Sequence, residues 1–446
     1  MKNENETNSA GTGRRDFLKG AAVAAGALAV TGCVAPGGTR ITAEPGTIGS
    51  SKSRSPVGDD GLVKIAILGT GGMGGGHIDS FLRFAKKGEE KVEIVAVCDV
   101  NLVRRKVAED KVNNSQGGQV EVYTDYREMI ERDDLHGVLI ASPEHWHAKM
   151  AEDCLMAGKD VYLEKPMTLR LPEALRLREV VRKNPDVLIQ IGTQKIMLPK
   201  YKAAQEMLGD GAIGKLTFSQ TSYCRNSKNG EWLYYGIDPK VQPGETLDWD
   251  LWCGPLGPRE WDPAFYARWR RYKDASTGII GDLLVHEVTP LVMAMDQGWP
   301  TRVVATGGHY VDKKMENRDQ ENLQVRFEKG HTRIVAGSTC NENGLETVVR
   351  GHKGTVYLNG GNCKMVPQRL FADDVDPQEV ICENIGNDQD ALRKNWLDCI
   401  RTRRQPDSNV ELGTKIMVIV DLATRSMWEG KAFEFDPASM TASAIG

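Results

Sequence analysis

A lysine followed by a proline stands in Glu164-Lys165-Pro166, directly after the β-rich run Val161 to Leu163. If that run ends at the edge of a parallel sheet, the proline fixes the turn and Lys165 points into the ligand crevice. There it can relay the proton of a hydroxyl as hydride leaves the carbon. A lysine before a proline is more often solvated, so its neighbours decide the reading. In Gly278-Ile279-Ile280-Gly281-Asp282-Leu283-Leu284-Val285-His286, Asp282 and His286 stand four apart on one face of the apolar helix this stretch predicts. His286 can act as acid or base, with Asp282 orienting it or holding a substrate hydroxyl. Spacing alone favours a helix cap beside a satisfied core histidine.

Hydride needs an acceptor, and the run Lys64 to Leu68 leads into Gly69-Thr70-Gly71-Gly72-Met73-Gly74, a G-x-G-x-x-G at a strand-to-helix turn. Gly69 permits the tight bend, Gly71 lets backbone approach a pyrophosphate, and Gly74 permits close helix packing, so that a helix N-terminus faces the phosphates. Asp99 closes the next strand, where a carboxylate accepts the ribose hydroxyls and repels a 2′-phosphate. NAD is therefore favoured, while Arg104 and Arg105 leave NADP open. The alternative for Asp99 is a cap on the helix beginning near Leu102. Ser142-Pro143-Glu144-His145-Trp146-His147 follows the fourth strand, and a proline-shaped loop there sets backbone against the nicotinamide ribose, with His147 capping or orienting it. Two histidines around a tryptophan also suggest a metal, but no further ligands stand nearby and none is expected.

Those residues must be held by alternating strands and helices. From Lys64 onward the predicted strands are Lys64 to Leu68, Val92 to Cys98, Val120 to Tyr123, Gly137 to Ala141, Val161 to Leu163 and Val187 to Ile191, with helix-period segments between them. That is an α/β, doubly wound parallel sheet of the Rossmann kind over residues 61–192. After Gly192 the pattern turns to alternating strands, with a hairpin at Lys329-Gly330, predicting an α+β domain over 193–430. Its sheet is expected to be mainly antiparallel and open, with helices on one face. Amphipathic helices are predicted near Asp390 to Arg401 and Gly413 to Glu429, and 431–446 reads as a tail. From about Asn226 to Thr277 runs a Trp-, Tyr- and Pro-rich insertion long enough to suggest a functional loop.

At 446 residues, with 40% hydrophobic and 26% charged residues, the chain exceeds one core and reads as an ordinary two-domain protein. A formal net charge of -4 supplies no field for nucleic acid, so a small molecule is the expected partner. Arg14-Arg15-Asp16-Phe17-Leu18-Lys19 and the apolar run Ala21 to Val30 resemble a twin-arginine export signal. Val30-Thr31-Gly32-Cys33 resembles a lipobox, so the chain is expected to be an exported periplasmic or cell-envelope lipoprotein anchored at Cys33. The alternative is a plain signal with an incidental cysteine. Residues 34–60, rich in Gly, Ser, Pro and Thr, read as a flexible tether. The other cysteines form no C-x-x-C pair, which suggests neither zinc nor a disulfide framework.

Taken together, Gly69 to Gly74, Asp99, Pro143, His147, Glu164-Lys165-Pro166, Asp282 and His286 resemble the Gfo/Idh/MocA oxidoreductase family, over nearly the whole chain from Leu62. The resemblance implies Lys165, Asp282 and His286 as the catalytic group, and Glu164, Lys165 and Gln194 nearest the nicotinamide. It also implies a homo-oligomer, dimer or tetramer, assembled through the second-domain sheet. The stretch Leu247 to Pro255 resembles a secreted subgroup. Leu284, where the family often has glycine, and Glu287 to Pro290 depart from the pattern on the substrate side.

The first expectation is an NAD(P)-dependent oxidoreductase acting on a hydroxyl of a sugar, sugar acid or cyclitol, with the cofactor held tightly. A second is an NAD-dependent glycosidase that oxidises a sugar transiently at C3, eliminates the aglycone and reverses the steps. Lys165 within E-K-P favours the first, since the N-acetylgalactosaminidase relatives lack it. A third is a surface sugar-binding protein without catalysis, against which intact Gly71, Lys165 and His286 argue.

Overall fold

The computed structural model describes residues 40–54 and 56–445; the twin-arginine stretch and Cys33 lie outside them. Six parallel strands form the first sheet in the order Glu121–Tyr123, Val92–Cys98, Val63–Leu68, Gly137–Ile140, Asp160–Leu163 and Ile189–Ile191. Chain order runs outward from Val63–Leu68 in both directions. A crevice therefore opens between that strand and Gly137–Ile140, outside their carboxyl ends. The central strands Gly137–Ile140 and Asp160–Leu163 are buried at every position, because helices cover both faces of the sheet.

The second sheet has eleven strands, and its neighbours are antiparallel except for Thr332–Ser338 beside Leu216–Cys224. Gln320–Phe327 alternates buried and exposed positions, as a strand with one covered face must. Its inner face receives the helix Val410–Glu429, which also packs on Leu171–Lys183 of the first sheet's helical layer and so joins the two halves. Trp396, on the helix Asp388–Thr402, packs on the other side against Phe81 and Tyr162.

Two expectations are corrected. The tether reading of 34–60 fails for its described part. Arg40–Ile41 pairs with Thr441–Ile445, Ser51 N donates to Asn184 Oδ1 at 2.6 Å, and Lys52 N donates to Met156 O at 2.8 Å. Polar composition hid this segment because backbone groups and the single buried Ile41 do the binding. The tail reading of 431–446 also fails: Ala432–Asp436 and Thr441–Ile445 are paired strands, with Phe433 and Phe435 buried.

Candidate active site

The strand Val63–Leu68 enters the helix Gly72–Lys87 through a bend that only glycine accommodates. Gly69 has φ +86°, and a Cβ there would lie 2.8 Å from Ala141 O. At Gly74 a Cβ would lie 1.8 Å from Gly69 O, so the helix rests directly on the bend. Outward, the turn is open: a Cβ at Gly72 meets nothing within 4 Å, and one at Gly71 meets only the Arg104 guanidinium at 3.3 Å. No side chain caps this helix and no acid stands in its first turn. Unclaimed N–H groups in an open cradle fit a pyrophosphate.

Asp99 lines the same cleft, and its carboxylate is held by the bend itself. Oδ2 accepts from Thr70 N at 2.7 Å and Thr70 Oγ1 at 3.0 Å, while Oδ1 accepts from Asn101 N at 2.8 Å. Thr70, expected against the cofactor, is thus turned to Asp99. The helix Leu102–Gln116 is capped by Asn101 rather than Asp99, since Asn101 Oδ1 accepts from Val103 N and Arg104 N.

At the next strand end, Ser142 and Pro143 line the cleft and Pro143 precedes the helix Glu144–Met156. His147 is fully buried between this loop and the Lys165 loop, its Nδ1 2.6 Å from Pro166 O and its Nε2 3.0 Å from Ser142 O, and the single N–H of the neutral ring donates to one of the two carbonyls. Ser142 Oγ is buried without a hydrogen-bond partner among the described residues, a polar atom that a ligand in the cleft would satisfy. His145 Nε2 and Trp146 Nε1 both reach Trp252 O, at 3.0 and 2.9 Å.

Lys165 is where the two halves meet. Its Nζ donates to Asp282 Oδ1 at 2.8 Å and to Asp282 O at 2.7 Å, and the two side chains are only 11% and 9% exposed. Arg270 Nε donates to the same Oδ1 at 3.0 Å. Burial works to raise the Asp282 pKa, but the Lys165 and Arg270 charges outweigh it and hold the carboxyl well below the usual range. Behind Lys165, Glu164 Oε1 is 2.8 Å from His77 Nε2, and His77 Nδ1 accepts from Arg393 Nε at 2.8 Å. The His77 proton therefore sits on Nε2 and is donated to Glu164. Burial tends to raise the Glu164 pKa, yet this hydrogen bond and the nearby charges leave it lowered.

Asp282 lies in a π-helical turn, Ile280–Leu284, which continues as the α-helix Val285–Met295 carrying His286. The expected single α-helical face is thus replaced by a widened turn. His286 Nδ1 is buried and has no partner among the described residues, and burial, followed by the Lys165 charge, pushes the imidazole down to about 3, so it is neutral at physiological pH. Lys195 pairs with Glu287 beside it. Glu144, buried on the Rossmann side, accepts from Ser276 Oγ at 2.7 Å and from Thr277 N and Oγ1 at 2.9 and 3.0 Å, which ties the approach to this turn to the first domain.

A cleft of about 310 Å³ runs between these walls. Gly69, Gly71, Gly72, Met73, Asp99, Ser142, Pro143, His147, Glu164 and Lys165 line it, as do Arg104, Tyr235, Trp252, Tyr266, Trp269 and Arg270. Thr70 and Gly74 stand behind it, Asp282 and His286 lie beyond Lys165, and Gln194, on the 3₁₀ turn Gln194–Met197, does not line it. The insertion covers the ribose end: Leu102 N donates to Thr246 O, Asp248 N to Val100 O, and Asn101 Nδ2 to Tyr266 OH at 2.6 Å. Its aromatic residues divide, with Trp249 stacked on Trp252 in a small core while Tyr235 and Trp269 face the cleft. Glu144, His77 and Arg393 were missed by sequence reasoning; His77 alone carried a signal, as a histidine one turn inside the glycine helix. No three His, Cys, Asp or Glu side chains converge as a metal site among the described residues.

Residues 63–192 match the family model described as oxidoreductase family, NAD-binding Rossmann fold. Residues 258–435 match that of its C-terminal alpha/beta domain. Glycosyl hydrolase family 109 protein 1 of Shewanella sp. (strain MR-4) is 28% identical over 243 residues, 52% of this chain and 50% of that protein. Alpha-N-acetylgalactosaminidase of Shewanella oneidensis is 27% identical over 245 residues, 50% of each. The chain spans about half the length of these curated relatives. Levoglucosan dehydrogenase, solved with NADH and L-sorbose, superposes with a TM-score of 0.63 at 16% identity, covering 83% of this chain and 98% of that one, a likeness of fold.

Proposed function

The chain belongs to the Gfo/Idh/MocA oxidoreductase family, and on that premise we propose that it oxidises a hydroxyl of a sugar, sugar acid or cyclitol by hydride transfer. The observation that carries this reading is Lys165, held at 2.8 Å by Asp282 from the opposite domain while lining the cleft that the glycine bend opens. NAD, when bound, would supply the hydride acceptor. The neutral imidazole of His286 accepts the hydroxyl proton, and the Lys165 ammonium stabilises the negative charge that grows on that oxygen. Asp282 aims Lys165, and Arg270 holds the same Asp282 oxygen from the cleft side. Tight retention of the cofactor is part of the proposal, supported by the insertion's bonds to Val100, Asn101 and Leu102 across the ribose end.

The relatives named for glycoside hydrolysis favour a second reading, in which the same residues oxidise a sugar reversibly and release an aglycone without net redox change. One experiment separates the two. The nucleotide released on denaturation is identified by mass spectrometry, and the native protein is then offered sugars, sugar acids, cyclitols and aryl glycosides. Turnover with a change in nicotinamide absorbance supports the first reading. Aglycone release without it overturns the first in favour of the second. Export and anchoring at Cys33, and a homo-oligomer assembled through the second sheet, belong to the same proposal; membrane fractionation of Cys33→Ala and light scattering test them.

A further inference from the structure

Arg270 occupies the substrate end of the cleft, on the turn Trp269–Arg271. Its Nε is committed to Asp282, but neither terminal nitrogen has a hydrogen-bond partner among the described residues, and neither is sealed from solvent. The side chain lines the cleft with 21% exposure, and a guanidinium with two uncommitted terminal nitrogens can donate two parallel hydrogen bonds. The guanidinium is held from three sides. The Trp269 ring lies 4.2 Å from its central carbon, the Tyr235 ring stands at 5.9 Å, and Nε donates to Asp282 Oδ1 at 3.0 Å, while Asn317 Nδ2 holds the backbone by donating to Arg270 O at 3.2 Å. An arginine needed only to neutralise Asp282 would turn its amino groups toward that carboxylate; Lys165 already does so.

Charge points the same way. At the front of this wall stand two cations, Lys165 and Arg270, and one carboxylate, Asp282. The other nearby acids are turned away, Glu164 back to His77 and, through it, to Arg393, and Glu144 to Ser276 and Thr277. His286 is neutral and Lys195 is matched by Glu287. The front therefore presents two cations against the single carboxylate turned toward them, beside two idle coplanar donors, the arrangement that recognises a carboxylate bidentately and holds a neutral hydroxyl less well.

We propose that Arg270 is a specificity residue and that the substrate is a sugar carboxylate, an aldonic or uronic acid, gripped through its carboxylate by the two terminal nitrogens. This rests on the hydroxyl-oxidising reading above and narrows its substrate class.

The test is a binding titration on the holoprotein reduced to its NADH form, read by cofactor fluorescence. The probes are D-gluconate, D-galactonate, D-glucuronate and D-galacturonate, each against its primary amide, with glucose 6-phosphate alongside. At least one acid is expected to bind about tenfold or more tighter than its amide. Arg270→Gln should erase that ratio while retaining the cofactor, and Arg270→Lys should keep part of it. Amides binding as well as acids, no acid binding at all, a ratio that survives in Arg270→Gln, or tighter binding of the phosphate would each overturn the proposal. If Arg270→Gln fails to fold, the ratio in the unaltered protein still decides. An acid preference without cofactor reduction by any acid would sink the oxidoreductase reading and leave carboxylate recognition standing.

Discussion

On the nucleotide wall, between Val63 and Ile191, the working atoms are largely main chain: a bend of glycines, an uncapped helix end, and loop carbonyls packed against His147. On the facing wall, from residue 226 to Met295, they are side chains: Arg270, Asp282 and His286, carried on a short turn, a π-helical one and the α-helix that continues it. A main-chain site tolerates changes of side chain but no added atom at its glycines. A site of side chains keeps its fold when altered and loses its chemistry. That asymmetry suits a family whose cofactor stays fixed while substrates vary.

Lys165 touches both walls, so its removal gives the largest expected effect. Lys165→Met should lower kcat/KM roughly 10²- to 10⁴-fold, with nucleotide still present after denaturation. Loss of the nucleotide as well would mean that the walls are not separable. Gly74→Ala tests the opposite wall: a Cβ 1.8 Å from Gly69 O forces the helix off the bend. It should destabilise the fold by about 3 kcal/mol in urea titrations and empty the protein of cofactor. Glu144→Gln, which weakens the strut to Ser276 and Thr277, should cost about 1 to 2 kcal/mol and raise KM more than it lowers kcat. Equal effects on both would place Glu144 in the chemistry rather than in the joint.

The smallest expected effect is on the pH profile. An exposed histidine, with a pKa of 6.5, would halve activity there; His286 sits at about 3 and stays unprotonated through the acid range. Hence kcat/KM should vary by no more than about twofold between roughly pH 5 and 8. Stability should move over the same range. Burial holds His145 at about 4 and His331 at about 3, while the unfolded chain takes up those protons below 6.5. The urea midpoint should therefore fall as pH drops through that window and be flat above it. A midpoint rising toward acid would show that these rings are charged in the fold.

The division between the walls also governed what could be read from the sequence. The strands Val63–Leu68 and Gly137–Ile140 announce themselves as apolar runs, and the glycine spacing states its own geometry. Lys165, Asp282 and His286 were legible as candidates, and they converge, but through a π-turn that no periodicity signals. Glu144 stayed hidden because its partners, Ser276 and Thr277, are 132 and 133 residues away and of ordinary type. Arg393 was hidden likewise, 316 residues from His77. The strand Ala432–Asp436 could have been found, since Phe433 and Phe435 flank Glu434 in strict alternation; its brevity and terminal place obscured it.

The widened turn at Ile280–Leu284 amounts to one residue more than a regular helix would use over the same rise. Excising that surplus would let the segment relax to ordinary winding and rotate what precedes it by about 100°, carrying the Asp282 carbonyl away from Lys165. A single-codon insertion or deletion is thus enough to make or unmake the contact between the halves, and length variation at this one spot offers a route by which the same scaffold gains or sheds a reaction.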